Sequence, residues 1–358
     1  MQRLHNFSAG PCTLPDEVFE KASQAVINFN GSGLSILETS HRSEAFTEVI
    51  QKAQSLALEL SGLKNKNYYA LFLHGGASFQ FMMTAYNLLE NKAAFIETGR
   101  WSDKAITEAQ YFGKTEIIAS SKDKNYTYIP KKIQCPSDVD YLHFTSNNTI
   151  YGTQFKSFPQ TEVPLVCDMS SDIFSRQIDF SQFDLIYAGA QKNIGPAGAT
   201  LVLVKEDILG KVTRKIPSIL DYQKQIKAKS VYNTSPVFSI YVSMLNLEWL
   251  VRQGGLEVIE KRNQEKAKML YHEIDRNSLF KAYANKQDRS MMNAVFTSVD
   301  SKFDEKFLNF ANQHQISGIK GHRSLGGFRA STYNALGIES VEKLVNCMKE
   351  FEKNTNTI

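Results

Sequence analysis

The chain has 358 residues, 42% hydrophobic and 22% charged, which is enough for roughly two domains with substantial cores. Its 41 basic and 37 acidic residues leave a formal net charge of +4, too slight an excess to argue for nucleic acid yet compatible with small anionic partners. No run approaches a membrane span, the opening MQRLHNFSAGPCTLP lacks a signal-peptide core, and Cys12, Cys135, Cys167 and Cys347 show no metal-ligand or disulfide-framework spacing, so a cytoplasmic protein without a metal site is expected.

Short β-rich runs alternate with helical patterns at 69–73, 93–97, 116–119, 141–144, 163–167, 184–188 and 200–204. This alternation predicts an α/β fold whose mostly parallel mixed sheet lies between helices. The run 200–204 follows its predecessor after a short turn, which admits an antiparallel course. After Pro236 the pattern becomes a long amphipathic helix through Tyr241, Leu245, Trp249 and Leu250 and onward to Leu270 and Ile274, bent or interrupted at Gly254-Gly255. From about Met291 a smaller unit is expected, with a strand at 293–298, a helix at 304–313, a glycine-rich segment at 318–327 and a terminal helix near 341–351. The division is placed at an N-terminal segment 1–14, a large domain 15–255 and a small C-terminal α/β domain 256–358. Neither a Walker A nor a GxGxxG match occurs, so nucleotide folds lose their main support.

Chemistry gathers at the ends of the expected strands. His74-Gly75-Gly76-Ala77-Ser78 joins a strand to a helix, so the amides of Ala77 and Ser78 crown a helix N-terminus and suit a phosphate. Trp101, in Gly99-Arg100-Trp101, follows the next strand and offers a stacking surface. Thr149, in Ser146-Asn147-Asn148-Thr149, offers a hydroxyl. The run 163–167 ends in Asp168, and the run 184–188 leads into AGAQKNIGPAG, where Lys192 stands among small residues. A partly desolvated lysine near other cations can form a Schiff base with an aldehyde, and a carboxylate can keep a pyridine nitrogen protonated; together they suit pyridoxal phosphate. Taken singly, these residues also read as a solvated loop lysine, a helix cap, a glycine turn capped by Ser78, a core tryptophan and a turn. The case for a site is their convergence on successive strand ends, where ligands of open α/β sheets bind. On the substrate side, His41-Arg42, His322-Arg323 and Arg329, all placed outside the sheet strands, supply guanidinium forks for carboxylates or phosphates. Surface ion pairing is the alternative for each.

Beyond these residues, the chain resembles the phosphoserine aminotransferases, class V aminotransferases of the pyridoxal-phosphate-dependent fold type I. The likeness runs through FSAGP, SHR at 40–42, HGGAS at 74–78, GRW at 99–101, SNNTIYG at 146–152, CDMSSDIFSR at 167–176, AGAQKNIGPAG, VYNTSP at 231–236 and GHRSLGGFRASTYNA at 321–335. The resemblance implies Lys192 as the lysine bonded to pyridoxal phosphate and Asp168 as the partner of its ring nitrogen. It implies Trp101 and Thr149 against the ring, and Ala77, Ser78 and Gln191 at the cofactor phosphate. Asn233 and Thr234 resemble the family's contribution from a neighbouring subunit, implying a homodimer with shared sites. Arg329 is implied as the clamp for the substrate α-carboxylate, with Ser8 of FSAGP on the substrate side and His41, Arg42, His322 and Arg323 around a distal anion. The implied reaction is amino transfer from glutamate to 3-phosphohydroxypyruvate in serine biosynthesis, with 3-hydroxy-2-oxo-4-phosphooxybutanoate, of pyridoxine biosynthesis, as a second acceptor. Some members carry an arginine where this chain has Ser78, which shifts weight for the distal phosphate onto the two His-Arg pairs.

Overall fold

The computed structural model describes residues 3–356. A short strand, β1 (His5–Asn6), opens the chain, followed by helices α1 (Asp16–Ile27) and α2 (Glu44–Leu60). In α2, Phe46, Val49, Ile50, Ala53, Ala57 and Leu60 recur at helical spacing and are all buried, and Ser43 Oγ caps the helix by accepting Phe46 N–H at 3.2 Å.

The central sheet is built from β2 (Tyr68–Leu73), β3 (Lys92–Glu97), β4 (Lys114–Ser120), β5 (Leu142–Thr145) and, beyond a small β6 (Asn147–Asn148)–β7 (Thr153–Gln154) ladder, β8 (Leu165–Asp168), β9 (Leu185–Gly189) and β10 (Thr200–Lys205). Each of these seven strands falls on one of the runs read from the sequence. In space the order is β2-β10-β9-β8-β5-β3-β4. β10 runs antiparallel to both β2 and β9, because the connection at 190–199 is too short for a crossover, and the other pairs are parallel. Helices α3 (Gly76–Leu88) and α4 (Arg100–Ala109) supply the crossovers after β2 and β3. Side-chain alternation divides the interior into two layers: Leu165 and Cys167 of β8 join the cluster that includes α1 and α2, and Val166 joins the one that includes α3 and α4.

Next come α5 (Tyr222–Lys227), α6 (Val237–Arg252) and α7 (Gly255–Arg276). The glycine pair breaks the long helix as expected. Gly254 has φ +95°, and a Cβ there would stand 2.6 Å from Val258 Cγ2. α7 bridges two cores, giving Ile259 to the first and Leu270 and Ile274 to a third cluster beneath the C-terminal unit. That unit contains β11 (Phe280–Ala282), β12 (Asn293–Ser298), α8 (Asp304–Gln313), β13 (Ile316–Ser317), β14 (Phe328–Ser331) and α9 (Ile338–Asn356), with an antiparallel sheet in the order β11-β12-β14. β13 pairs with β1, which stitches the N-terminal segment to this unit. Arg329 differs from expectation: it lies on β14, because the glycine-rich segment ends in an apolar-flanked strand that pairs with β12.

α7 also carries Lys266 inward, where its Nζ donates to Thr332 O at 3.1 Å, Tyr333 O at 2.9 Å and Leu336 O at 3.0 Å. Burial pulls its pKa down to about 7, yet three carbonyl acceptors match the three N–H bonds of an ammonium. These carbonyls belong to the turn just past β14, so Lys266 braces the strand that holds Arg329. Lys266→Met should cost about 3 kcal/mol by leaving buried carbonyls unpaired. Chemical denaturation measures this, and a loss below about 1 kcal/mol would show that the turn holds without the lysine.

Candidate active site

A cavity of about 330 Å³ opens at the C-terminal ends of the parallel strands. From the end of β2 come Gly76, Ala77 and Ser78; from the end of β3, Trp101; from β5 and the loop after it, Thr145, Asn147 and Thr149. Asp168 and Ser170 follow from β8, Gln191 and Lys192 from the turn between β9 and β10, and His322 and Arg329 from the C-terminal unit. Ala9 and Gly10 close the cavity from the N-terminal segment.

Local chain chemistry accounts for each position. Gly75 adopts φ +89° and serves as the N-cap of α3, and a Cβ there would lie 2.4 Å from Phe79 Cβ. The helix therefore begins at Gly76 with the amides of its first turn directed outward, and no side chain, Ser78 included, caps it. Gly10 has φ +135°, and a Cβ there would press on Gln191 and Lys192 side chains at 3.3 and 3.4 Å. A larger residue at Gly10 would press on the site itself, and one at Gly75 would clash with Phe79 and disturb the start of α3.

Asp168 is paired in register with Thr145 of β5 and Tyr187 of β9 and is buried. Ser170 N–H donates to its Oδ1 at 2.9 Å. Burial raises the carboxyl pKa above its ordinary value, with Ser170 and the charge of Lys192 opposing that rise. Such a carboxylate is suited to a cationic partner placed in the cavity. Lys192 Nζ donates to Thr149 Oγ1 at 2.9 Å and makes no ion pair with Asp168. Burial brings its pKa down to about 8, with Arg329 pushing the same way and Asp168 opposing. Polar atoms that are buried without partners add to the set: Trp101 Nε1, Thr145 Oγ1 and Arg329 Nε.

Nine of the residues singled out from the sequence line this one cavity: Ala77, Ser78, Trp101, Thr149, Asp168, Gln191, Lys192, His322 and Arg329. Six do not. Ser8 stands one residue outside, its N–H bonded to Asn6 Oδ1, while Ala9 and Gly10 take the lining position. Arg323 is exposed beside His322, whose pKa is lowered by burial and then by Arg329, Arg100 and Arg323. His41 and Arg42 lie on a separate loop, with Arg42 exposed. Asn233 is half-buried in a neighbouring depression and Thr234 is exposed.

Polar support around the site was not legible residue by residue. Asn147 Nδ2 donates to Ser171 Oγ and to Asn293 Oδ1, both at 2.8 Å, which ties β6 to the loop after β8 and to β12. Asn193 Oδ1 accepts Asn334 N–H at 3.0 Å, while Asn334 Nδ2 reaches Phe174 O at 2.8 Å. The residue beside Lys192 is thereby bonded to the turn braced by Lys266. The only sequence signal was the asparagines' membership in SNNTIYG, AGAQKNIGPAG and RASTYNA.

A phosphate seat on a helix N-terminus, a ring-sized space flanked by Trp101 and an amine opposite a buried carboxylate fit pyridoxal phosphate. Fold and site define a pyridoxal-phosphate-dependent transaminase. The family model for Aminotransferase class-V matches residues 4–344. The chain is 61% identical to the phosphoserine aminotransferase of Flavobacterium psychrophilum, over 98% of this chain and 99% of that protein, and 53% identical to that of Porphyromonas gingivalis over the same shares. Among solved structures, the phosphoserine aminotransferase of Bacillus circulans subsp. alkalophilus has TM-score 0.96 and 42% identity, covering 99% of this chain and 100% of that one. The pyridoxal-phosphate-bound phosphoserine aminotransferase of Trichomonas vaginalis has TM-score 0.92 and 36% identity, covering 97% and 100%. The chain belongs to the class V aminotransferases and, within them, to the phosphoserine aminotransferases.

The depressed basicity of Lys192 is directly measurable. In cofactor-free protein, reductive methylation of this amine should be half-maximal near pH 8, because its neutral form is reached there and not at the ordinary 10.5. The sign for stability follows. Between these two values the unfolded chain binds the extra proton, so the contribution of Lys192 to stability rises with pH across that window. A methylation midpoint near 10.5 would contradict the burial.

Proposed function

We propose that the protein catalyses reversible amino transfer from L-glutamate to 3-phosphohydroxypyruvate, giving O-phospho-L-serine and 2-oxoglutarate. The observation that carries this reading is the presence of Asp168 and Lys192, unpaired with each other, in one cavity whose mouth holds Arg329 and His322. Bound pyridoxal phosphate supplies an electron sink for the pair left when the substrate Cα–H bond breaks.

The chain's own groups do the rest. The amides of Ala77 and Ser78 at the start of α3, with Gln191 beside them, hold the cofactor phosphate. Asp168 would keep a proton on the ring nitrogen, and Trp101 would offer a stacking face to the ring. Lys192 would anchor the aldehyde and, once freed by substrate, would as a neutral amine take the proton from the substrate Cα and deliver it to the cofactor C4′ carbon; burial favours that neutral form. The Thr149 hydroxyl, 2.9 Å from Nζ, orients the amine. Arg329, whose Nε lacks a partner, clamps the α-carboxylate.

The residues that stand away from this cavity are assigned to a second copy. In a homodimer, His41, Arg42, Asn233 and Thr234 of one subunit would complete the site of the other, the first pair at the distal anion with His322 and Arg323, the second at the cofactor phosphate. Ser8 acts on the substrate side through the backbone it shares with Ala9. Support comes from exposed apolar side chains near the lent loop: Val26, Ile27, Leu34 and Leu37 are 37%, 79%, 52% and 63% accessible in the single chain. All four cysteines are free, in keeping with the reducing cytoplasm, and no described helix is long and apolar enough to cross a membrane. The same pair of anion clamps accepts 3-hydroxy-2-oxo-4-phosphooxybutanoate, which carries a carboxylate and a phosphate.

Lys192→Ala should lower turnover roughly 10²–10⁴-fold while the cofactor still binds; near-normal activity would remove Lys192 from the mechanism. Arg329→Lys should raise KM for glutamate roughly ten-fold through loss of the bidentate fork, and an unchanged KM would move the carboxylate clamp elsewhere. Adding glutamate to cofactor-loaded protein should change the cofactor absorbance, and initial rates on the two phosphorylated acceptors rank them. A spectrum indifferent to glutamate would overturn the proposed reaction.

A further inference from the structure

β2 is an edge strand, paired with β10 on one side only. Its open edge is met by the segment 230–234. Phe72 N–H donates to Ser230 Oγ at 3.1 Å, and two residues further on, His74 Nε2 lies 2.7 Å from the carbonyl oxygen of Thr234. A carbonyl can only accept, so Nε2 carries the hydrogen and the ring tautomer is set by this bond. The segment is braced from within, because Ser235 Oγ donates to Ser230 O at 3.2 Å. Gln54 Nε2 braces it from α2, donating to Ser230 Oγ at 3.2 Å. His74 therefore stands immediately before the glycine turn of the chain's own phosphate seat and grips the carbonyl of a residue whose side chain does not enter the chain's own cavity.

Resting on the reading that Asn233 and Thr234 complete the second copy's cofactor-phosphate site, we propose that His74 is a positioning residue that couples cofactor binding at the two sites of the dimer. A phosphate held by the Ala77 and Ser78 amides orders the turn at the start of α3 and, with it, His74. His74 then fixes Thr234 in the geometry that the other site needs. The ordering of segment 230–234 is completed by the first binding event, so the second is tighter with no new contact.

Cofactor-free protein titrated with pyridoxal phosphate tests this, followed by tryptophan fluorescence and absorbance, with light scattering on the same samples. Wild type should be a dimer that binds with a Hill coefficient above one and no higher than its two sites allow. His74→Ala should remain dimeric and bind without cooperativity, with apparent affinity lowered roughly five-fold by loss of one hydrogen bond. His74→Gln, whose amide N–H can reach the same carbonyl, should restore the cooperative isotherm, which a merely structural role for the histidine does not predict. A dimeric wild type with a Hill coefficient of one overturns the coupling and leaves the shared-site reading standing, even if His74→Ala fails to fold. So does a His74→Ala isotherm as cooperative as wild type, or a His74→Gln variant that stays non-cooperative. A monomeric wild type overturns the shared-site reading itself.

Discussion

Two ionisable groups buried in one cavity and kept from pairing impose the constraint around which this molecule is arranged. An amine and a carboxylate taken out of water attract strongly, and direct contact would neutralise both and fill the space between them. Here Thr149 Oγ1 takes the Lys192 amine, and Ser170 N–H takes one oxygen of Asp168. Each group is thus satisfied locally by a neutral partner. The strands enforce the arrangement: Asp168 ends β8, while Lys192 stands in the turn that reverses direction from β9 into β10. The single antiparallel strand therefore has a chemical role. It lets the lysine sit on a short, tethered turn at the same end of the sheet as the carboxylate.

Much of this was legible in the chain because local pattern and site chemistry coincide. β2, β3, β5, β8 and β9 are short, largely apolar runs, and polar or small residues at or just past their ends are the ones that meet at the cavity. Ala77, Trp101, Thr149, Asp168 and Lys192 come from separate segments, yet each could be placed by counting to a strand end. Arg329 was harder, since the glycines before it suggest a loop, and only the pairing of Val295 with Arg329 makes its surroundings a strand. The asparagine network escaped notice for a related reason. Asn193 and Asn334 are bonded across 141 positions of sequence, and no local periodicity carries such a contact. Lys266 misleads in the other direction, because a lysine within a helix rich in charge reads as solvated when its ammonium is in fact buried against three carbonyls.

The second group of anion-binding candidates teaches the complementary lesson. His41, Arg42, Asn233 and Thr234 carry the chemistry of a site but stand apart from the cavity of their own chain. Sequence pattern reports residue type, and a single chain reports placement; the disagreement between the two, beside exposed Leu34 and Leu37, is the ground on which the shared site is proposed. The Asn334 bond to Asn193 and the Lys266 brace act on the other boundary, where β14 and its arginine approach the lysine turn. Arg329 and Lys192 are thus held to each other by backbone-directed hydrogen bonds as well as by apolar packing.

The position of β2 has a consequence for biosynthesis. The strand is translated early, but β10, which pairs along one of its margins, and Ser230, which covers the other, lie more than a hundred residues downstream. Until those segments leave the ribosome, the apolar run Ala70 to Leu73 has no partner on either margin. The growing polypeptide is thereby exposed to misassembly between nascent copies at this point, and chaperone protection there would matter most before β10 has emerged.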